Sequence, residues 1–306
     1  MKTVFLFPGQ GAQFVGMGKE LYEKHDSVRQ LYQRANEIIG FDLAKICFEG
    51  PETELNKTNI CQPAILVTSL AALESMRLAH PENQSFVATA GLSLGEYTAL
   101  VVAGALSFED AVKIVERRGV FMQEACEQQP GGMASVIGLD REQVRKICES
   151  VAGVVNIANL NCPGQIVISG ETKALEEAGR KAKESGAKRV IPLKVAGAFH
   201  SPLMKPAEEK LKKELDKIEI KNPKEPVVSN VTADYVKTAE EIKNCLSRQV
   251  VSSVLWEDSM RRLIQDGVTK FYEIGPGQAL TGLMQRILAS SSPTRSGDEK
   301  VECYNF

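Results

Sequence analysis

The chain has 306 residues, 43% of them apolar and 25% charged, with a formal net charge of −2. That length buries a large core, as one large domain or as a main domain with an insert, and the composition is that of an ordinary globular protein. The near-neutral balance removes any global electrostatic reason to expect nucleic acid or an anionic membrane as partner.

Residues 3–7 read as a short buried strand, closed by Pro8-Gly9 and followed by the polar loop Gln10-Gly11-Ala12-Gln13. This opening apolar run is too short for a signal peptide. Helices are predicted over 18–39 and 62–79, the second from Ile65, Leu66, Leu70, Leu73 and Met76 at helical spacing. A strand at 86–90 leads into Gly91-Leu92-Ser93-Leu94-Gly95 and a helix ending near Gly104; a further helix covers 108–126, with acids in its first turn. From about 132 to 195 the pattern is strand 133–139, helix 140–150 capped by Asp140, strands 154–160 and 165–169, helix 171–184 and strand 188–195. That β-α-β-β-α-β order is the signature of a ferredoxin-like unit, expected here as a small subdomain inserted into a larger α/β body. A helix at 205–217 and strands at 227–230 and 270–274 follow, the last running into Gly275-Pro276-Gly277 and a helix. The tail from Ser290 reads as loosely held. No apolar stretch approaches the ~18 residues needed to cross a bilayer, so a soluble, cytoplasmic protein is expected.

Gly91-Leu92-Ser93-Leu94-Gly95 fits G-x-S-x-G, with a strand before it and a helix after it. A tight strand-to-helix turn exposes the serine hydroxyl, and the next N–H, on Leu94, lies at a helix N-terminus where it can face an oxyanion. The bland alternative is a glycine-flanked turn serine. A serine nucleophile needs a base, and the chain has three histidines. His25 lies among charges and reads as a solvated surface residue; His80 precedes Pro81 at a helix end and reads as structural. His200, in Gly197-Ala198-Phe199-His200-Ser201-Pro202, follows the last strand of the insert and is the base by elimination. Gly9-Gln10-Gly11 fails as a nucleotide loop, because Phe14 and Met17 stand where a glycine and a lysine are required. It is either a second oxyanion donor or a simple tight turn, and the residues alone do not choose. Arg117-Arg118 reads, on spacing alone, as a solvated helix face. Seven scattered cysteines without a Cys-x-x-Cys pair predict reduced thiols, no disulfide framework and no metal site.

Taken together, Phe7 to Gln13, Gln62-Pro63-Ala64, Gly91 to Tyr97, Arg118-Gly119, Met122-Gln123, Asn161 to Gln165, Gly197 to Pro202, Val228 to Val231 and Glu273 to Gly277 resemble the malonyl-CoA:acyl carrier protein transacylase family in content and order. The resemblance implies an α/β-hydrolase-like body, 1–128 and 197–306, carrying a ferredoxin-like subdomain, 129–196. It implies malonyl transfer from the coenzyme A thioester to acyl carrier protein by a ping-pong route through Ser93, with His200 as base and no cofactor beyond the substrate. It also implies an oxyanion hole from the N–H groups of Gln10 and Leu94, a carboxylate clamp at Arg118, and a backbone carbonyl at Gln249 orienting His200. Gln62 and Asn161 would line the pocket, and Phe199 matches the malonyl-selecting form. The family's commonest motif has His where this chain has Leu92. Lys188, Arg189 and Arg286 are candidates for the carrier-docking face, and a monomer is the simplest expectation. The rivals are an acyltransferase of other acyl preference, an esterase whose acid would be Asp110 or Asp140, and a non-catalytic carrier-binding relative.

Overall fold

The computed structural model describes residues 2–290 and 300–306. Among the described residues ten strands form two sheets: β1 (Lys2–Phe7), β2 (Ala88–Gly91), β3 (Gly131–Ile137), β4 (Val155–Cys162), β5 (Gln165–Glu171), β6 (Arg189–Pro192), β7 (Val227–Val228), β8 (Tyr235–Val236), β9 (Val268–Glu273) and β10 (Glu302–Asn305). The larger sheet has the order β10-β9-β1-β2-β7-β8 and is parallel except for the edge pair β7/β8. β1 lies at its centre and is apolar on both faces, as a covered parallel strand must be. Phe5 and Phe7 pack under helices Asp26–Ile39, Thr58–Ala79 and Phe108–Gln128, while Val4 and Leu6 face the core of Trp256–Gln265 and Ala279–Ala289.

The smaller sheet is antiparallel, with order β4-β5-β3-β6 and chain sequence β3, helix Arg141–Glu149, β4, β5, helix Thr172–Glu184, β6. Its two faces differ, as strand alternation requires. Ala134, Val136, Ile166 and Ile168 pack under the two helices, and Met133, Val167, Asn159 and Asn161 line a cavity on the opposite face. The helix at 141 starts where expected, on a capping box between Asp140 and Gln143. Segment 158–160 exchanges backbone hydrogen bonds with Val254, tying the small sheet to the main body.

Several boundaries differ from expectation. The helix expected over 18–39 is two, Lys19–Lys24 and Asp26–Ile39, separated by the extended backbone of His25. His25 is not a solvated surface residue: it is half-buried, and its Nε2 lies 3.2 Å from Ser75 Oγ. The helix expected from 62 begins at Thr58 and carries Pro63 inside it. Strand β6 ends at Pro192, three residues short of the expected end, and β7 holds two residues. Of the tail read as loosely held, 291–299 lie outside the described residues, and Glu302–Asn305 is instead an edge strand beside β9.

The turn from β2 into helix Gly95–Val102 is packed so closely that a Cβ on Gly95 would stand 2.1 Å from the carbonyl oxygen of Phe7 in β1. Gly95→Ala is therefore expected to cost about 1–3 kcal/mol or more, the range for forcing a methyl into a packed core. Gly282→Ala, on an open helix face with nothing within 4 Å, is expected to stabilise by up to about 1 kcal/mol. Urea denaturation followed by circular dichroism checks the pair.

Candidate active site

Ser93 occupies the turn between β2 and helix Gly95–Val102 with φ of 51°, in the left-handed region that a side chain rarely adopts. The surroundings hold it there. Its N–H donates to Asn230 Oδ1 (2.6 Å), and Asn230 Nδ2 donates to the Gly91 carbonyl (2.7 Å), so one amide braces the turn from both sides. The side chain faces a cavity of about 160 Å³ lined by Gln10, Leu92, Arg118, Asn161, Phe199 and His200 among others. That is small beside the ~300–1,000 Å³ typical of ligand pockets. It suits a short acyl group with the rest of a larger ligand outside.

His200 also has a positive φ, 57°. Its Nε2 is 2.9 Å from Ser93 Oγ and its Nδ1 is 2.8 Å from the backbone carbonyl of Gln249. A carbonyl only accepts, so Nδ1 carries the proton and neutral Nε2 is left to accept from the serine. Asp110 and Asp140, the acids an esterase reading requires, sit instead at helix N-termini, where they hydrogen-bond with Ser107 and Gln143. Burial and the nearby Arg118 charge push the His200 pKa down to about 4, against the pull of the Gln249 hydrogen bond.

Arg118 is 1% exposed and its neighbour Arg117 is exposed. The spacing-based reading of the pair as a solvated face holds for Arg117 and fails for Arg118, because one residue along a helix turns the side chain by about 100°. Arg118 Nη2 donates to Ser93 Oγ (3.0 Å) and to Gln249 Oε1 (2.9 Å), and Nη1 donates to Gln62 Oε1 (2.8 Å). The helices carrying Arg118 and Gln62 meet at Gly119, where a Cβ would stand 2.6 Å from both Thr58 O and Asn59 Cα. Any larger residue would hold the guanidinium away from the serine.

Among the described residues no acceptor is placed on the N–H of Gln10 or of Leu94, so both are available to an oxyanion. Asn161 Oδ1 is buried without a partner, and Phe199 is 5% exposed against the cavity. Lys188, Arg189 and Arg286 line a neighbouring groove that shares Leu193 with this cavity. His80 stays at its helix end, exposed and beside Glu82. Two residues escaped the sequence reading of the site, Asn230 and Glu96. Glu96 is 1% exposed, and its Oε2 accepts from Gln249 Nε2 (2.6 Å) and the Asn230 N–H (3.1 Å). Burial pushes its pKa up to about 7, against those hydrogen bonds and the Arg118 charge. The available signal was an acid directly before the largely apolar run Tyr97 to Val102.

A nucleophile elbow, an imidazole with its far nitrogen on a carbonyl, and a buried guanidinium on the same hydroxyl are the parts of an acyl-transfer site. The family model of the acyl transferase domain matches residues 4–300. A malonyl CoA-acyl carrier protein transacylase of Bacillus subtilis is 50% identical over 289 residues, covering 94% of this chain and 90% of the relative. The structure of an acyl carrier protein S-malonyltransferase from Vibrio cholerae superposes with a TM-score of 0.93 at 39% identity, covering 100% of this chain and 97% of the other. A malonyl-transacylase solved in complex with its type II PKS acyl carrier protein gives 0.92 at 39%, covering 100% and 95%. The chain belongs to the malonyl CoA-acyl carrier protein transacylase family of acyltransferases.

The depressed pKa of His200 has a direct consequence. A base whose pKa is lowered stays unprotonated, and able to take a proton, until the pH falls to that value. The His200 imidazole is expected to stay neutral between pH 8 and pH 5 in a nitrogen-15 NMR titration. A transition near 6.5, the value of a free histidine, would contradict it.

Proposed function

We propose that this chain transfers a malonyl group from malonyl-CoA to the phosphopantetheine thiol of acyl carrier protein, through an ester on Ser93, supplying fatty acid synthesis. The observation that carries the reading is the single hydroxyl 2.9 Å from an imidazole nitrogen and 3.0 Å from a guanidinium nitrogen. His200 Nε2 takes the Ser93 proton as Oγ attacks the thioester carbonyl, and the negative oxygen rests on the N–H groups of Gln10 and Leu94. The tetrahedral intermediate collapses, the carbon–sulfur bond breaks, and the coenzyme A thiol leaves with the proton from His200. In the second half-reaction the carrier thiol gives its proton to His200 and attacks the ester, and Ser93 leaves and recovers its proton.

Arg118 holds the free carboxylate of the acyl group. In malonyl that carboxylate lies two bonds beyond the reacting carbonyl, within reach of a guanidinium that already touches the serine oxygen. Gln62 fixes the guanidinium from behind, while Phe199 and Asn161 shape the cavity wall. The architecture is an α/β-hydrolase-like body, 1–128 and 197–306, carrying a ferredoxin-like unit, 129–196; the parallel sheet with its elbow and the β4-β5-β3-β6 order support that reading. The basic groove of Lys188, Arg189 and Arg286 is where an acidic carrier docks. We take a monomer as the working unit and place it in the cytoplasm. Among the described residues no helix is long and apolar enough to cross a membrane.

Brief exposure to malonyl-CoA is expected to add one malonyl mass to the wild-type chain and none to Ser93→Ala, read by intact-protein mass spectrometry. Modification of both would reject the nucleophile. Arg118→Ala loses a charged hydrogen bond, worth about 1.5–3 kcal/mol. It is expected to lower kcat/KM for malonyl-CoA about 10–100-fold more than for acetyl-CoA. Equal losses would reject the clamp.

A further inference from the structure

Gln249 carries the weight of this site twice, with its backbone carbonyl on His200 and its side-chain amide on Arg118. Only one orientation of that amide suits its surroundings. The guanidinium of Arg118 can only donate and the Ser93 carbonyl can only accept, so Oε1 must face Arg118 and Nε2 must face Ser93 O, 3.0 Å away. The second proton on Nε2 goes to Glu96 Oε2 at 2.6 Å. The same carboxylate oxygen accepts the backbone N–H of Asn230, the residue that braces the elbow. The Glu96 carboxylate hydrogen-bonds to neither Ser93 nor His200; only its backbone N–H reaches the Ser93 carbonyl, at 3.1 Å.

We propose that Glu96 is a positioning residue for Arg118, its carboxylate locking the Gln249 amide so that Oε1 always faces the guanidinium and holds it over Ser93 for the acyl carboxylate. The proposal rests on the reading of Arg118 as the carboxylate clamp. Its physical basis is a three-member relay: guanidinium to amide oxygen, amide N–H to carboxylate. A charge-assisted hydrogen bond from Nε2 polarises the amide and makes Oε1 a stronger acceptor. The buried cation thereby gains a partly negative partner without a carboxylate beside it. That matters because a carboxylate placed directly on Arg118 would compete with malonyl for the same N–H groups. With the amide interposed, Nη2 is held by a neutral oxygen that an incoming anion can displace or share. If Glu96 served only to satisfy the Asn230 N–H, its loss would weaken the fold and slow every acyl substrate alike.

The test measures kcat and KM separately for malonyl-CoA and acetyl-CoA, with transfer to acyl carrier protein as readout, in Glu96→Gln, Glu96→Asp and Glu96→Ala beside Arg118→Ala. Glu96→Gln keeps the shape and an acceptor but removes the charge. We expect Glu96→Gln and Glu96→Ala to lower kcat/KM for malonyl-CoA at least fivefold more than for acetyl-CoA, mainly through a higher malonyl KM. Glu96→Asp should recover part of the preference. Should Glu96→Ala fail to fold, Glu96→Gln decides by the same ratio. An unchanged malonyl-to-acetyl ratio in Glu96→Gln, with Arg118→Ala losing its preference, overturns the Glu96 proposal and leaves the clamp standing. An unchanged ratio in Arg118→Ala overturns the clamp, and this proposal with it.

Discussion

The structure depends on one hydroxyl having an imidazole and a guanidinium at hydrogen-bond distance together, and Gln249 is what makes that possible. From the end of helix Ala239–Gln249 it gives its carbonyl to His200 Nδ1, its Oε1 to Arg118 and its Nε2 to the Ser93 carbonyl. Ser93, Arg118 and His200 come from three distant parts of the chain. Each alone has freedom to drift by the ångström or so that separates a productive geometry from a useless one. A single buried residue that bonds to all three, through its side-chain amide and its backbone carbonyl, removes that freedom at once. Two of the three sites that hold the geometry, Ser93 and His200, have left-handed backbone, a cost of order 1–3 kcal/mol each. Such conformations persist only where the surroundings over-determine them, and the hydrogen bonds through Gln249 and Asn230 do so.

The two sheets divide the work. The parallel sheet supplies rigidity: β1 and β2 run side by side into the Gly9–Gln10 loop and the Ser93 elbow, so the two free N–H groups arrive from neighbouring strand ends. This is the carboxyl edge of the strands, where open α/β sheets place their ligands. The antiparallel sheet supplies the other wall. Its face away from the two helices presents Met133, Asn159, Asn161 and Val167 to the cavity. The chain returns from it directly into the loop that carries Phe199 and His200. His200 is therefore delivered by the junction between the sheets, and their relative position, pinned by the Val254 hydrogen bonds to 158–160, sets the width of the cleft.

What was legible in the sequence follows from what leaves a local trace. The elbow did, because its chemistry demands glycines on both sides of a serine between a strand and a helix. The small sheet did, because its strands alternate and Asp140 marks the start of its first helix. His200 could be reached by elimination because the chain has only three histidines. Arg118 could not be separated from Arg117 on spacing, since which of two adjacent helical residues is buried depends on the phase of packing at Gly119. The Gln249 contribution left no mark at all on composition, because a backbone carbonyl has no residue type. Asn230 and Glu96 failed for a related reason: their roles are made by contacts across 130 residues or more of chain. The short strands β8 and β10 are edge elements of two and four residues, too brief to build a periodicity.

The use of a carbonyl where esterases use a carboxylate has an electrostatic rationale in the proposed chemistry. An ionised acid on Nδ1 would stabilise the imidazolium and raise base strength. It would also stand near the carboxylate that the substrate must bury. At ~6 Å and an effective dielectric of ~20 that repulsion is about 3 kcal/mol, comparable with what the clamp contributes. A neutral carbonyl gives the same tautomer and orientation with no charge, and His200 is left a weaker base. The reaction tolerates this because its leaving group is a thiol, far more acidic than an alcohol, which departs with little help from an acid. The acid that is present, Glu96, is set behind Gln249, where an amide stands between it and the guanidinium. The site thus keeps negative charge off the acyl cavity while still holding its cation in place, and on the proposed reading of Arg118 that arrangement accounts for selectivity toward an acyl group that carries its own carboxylate.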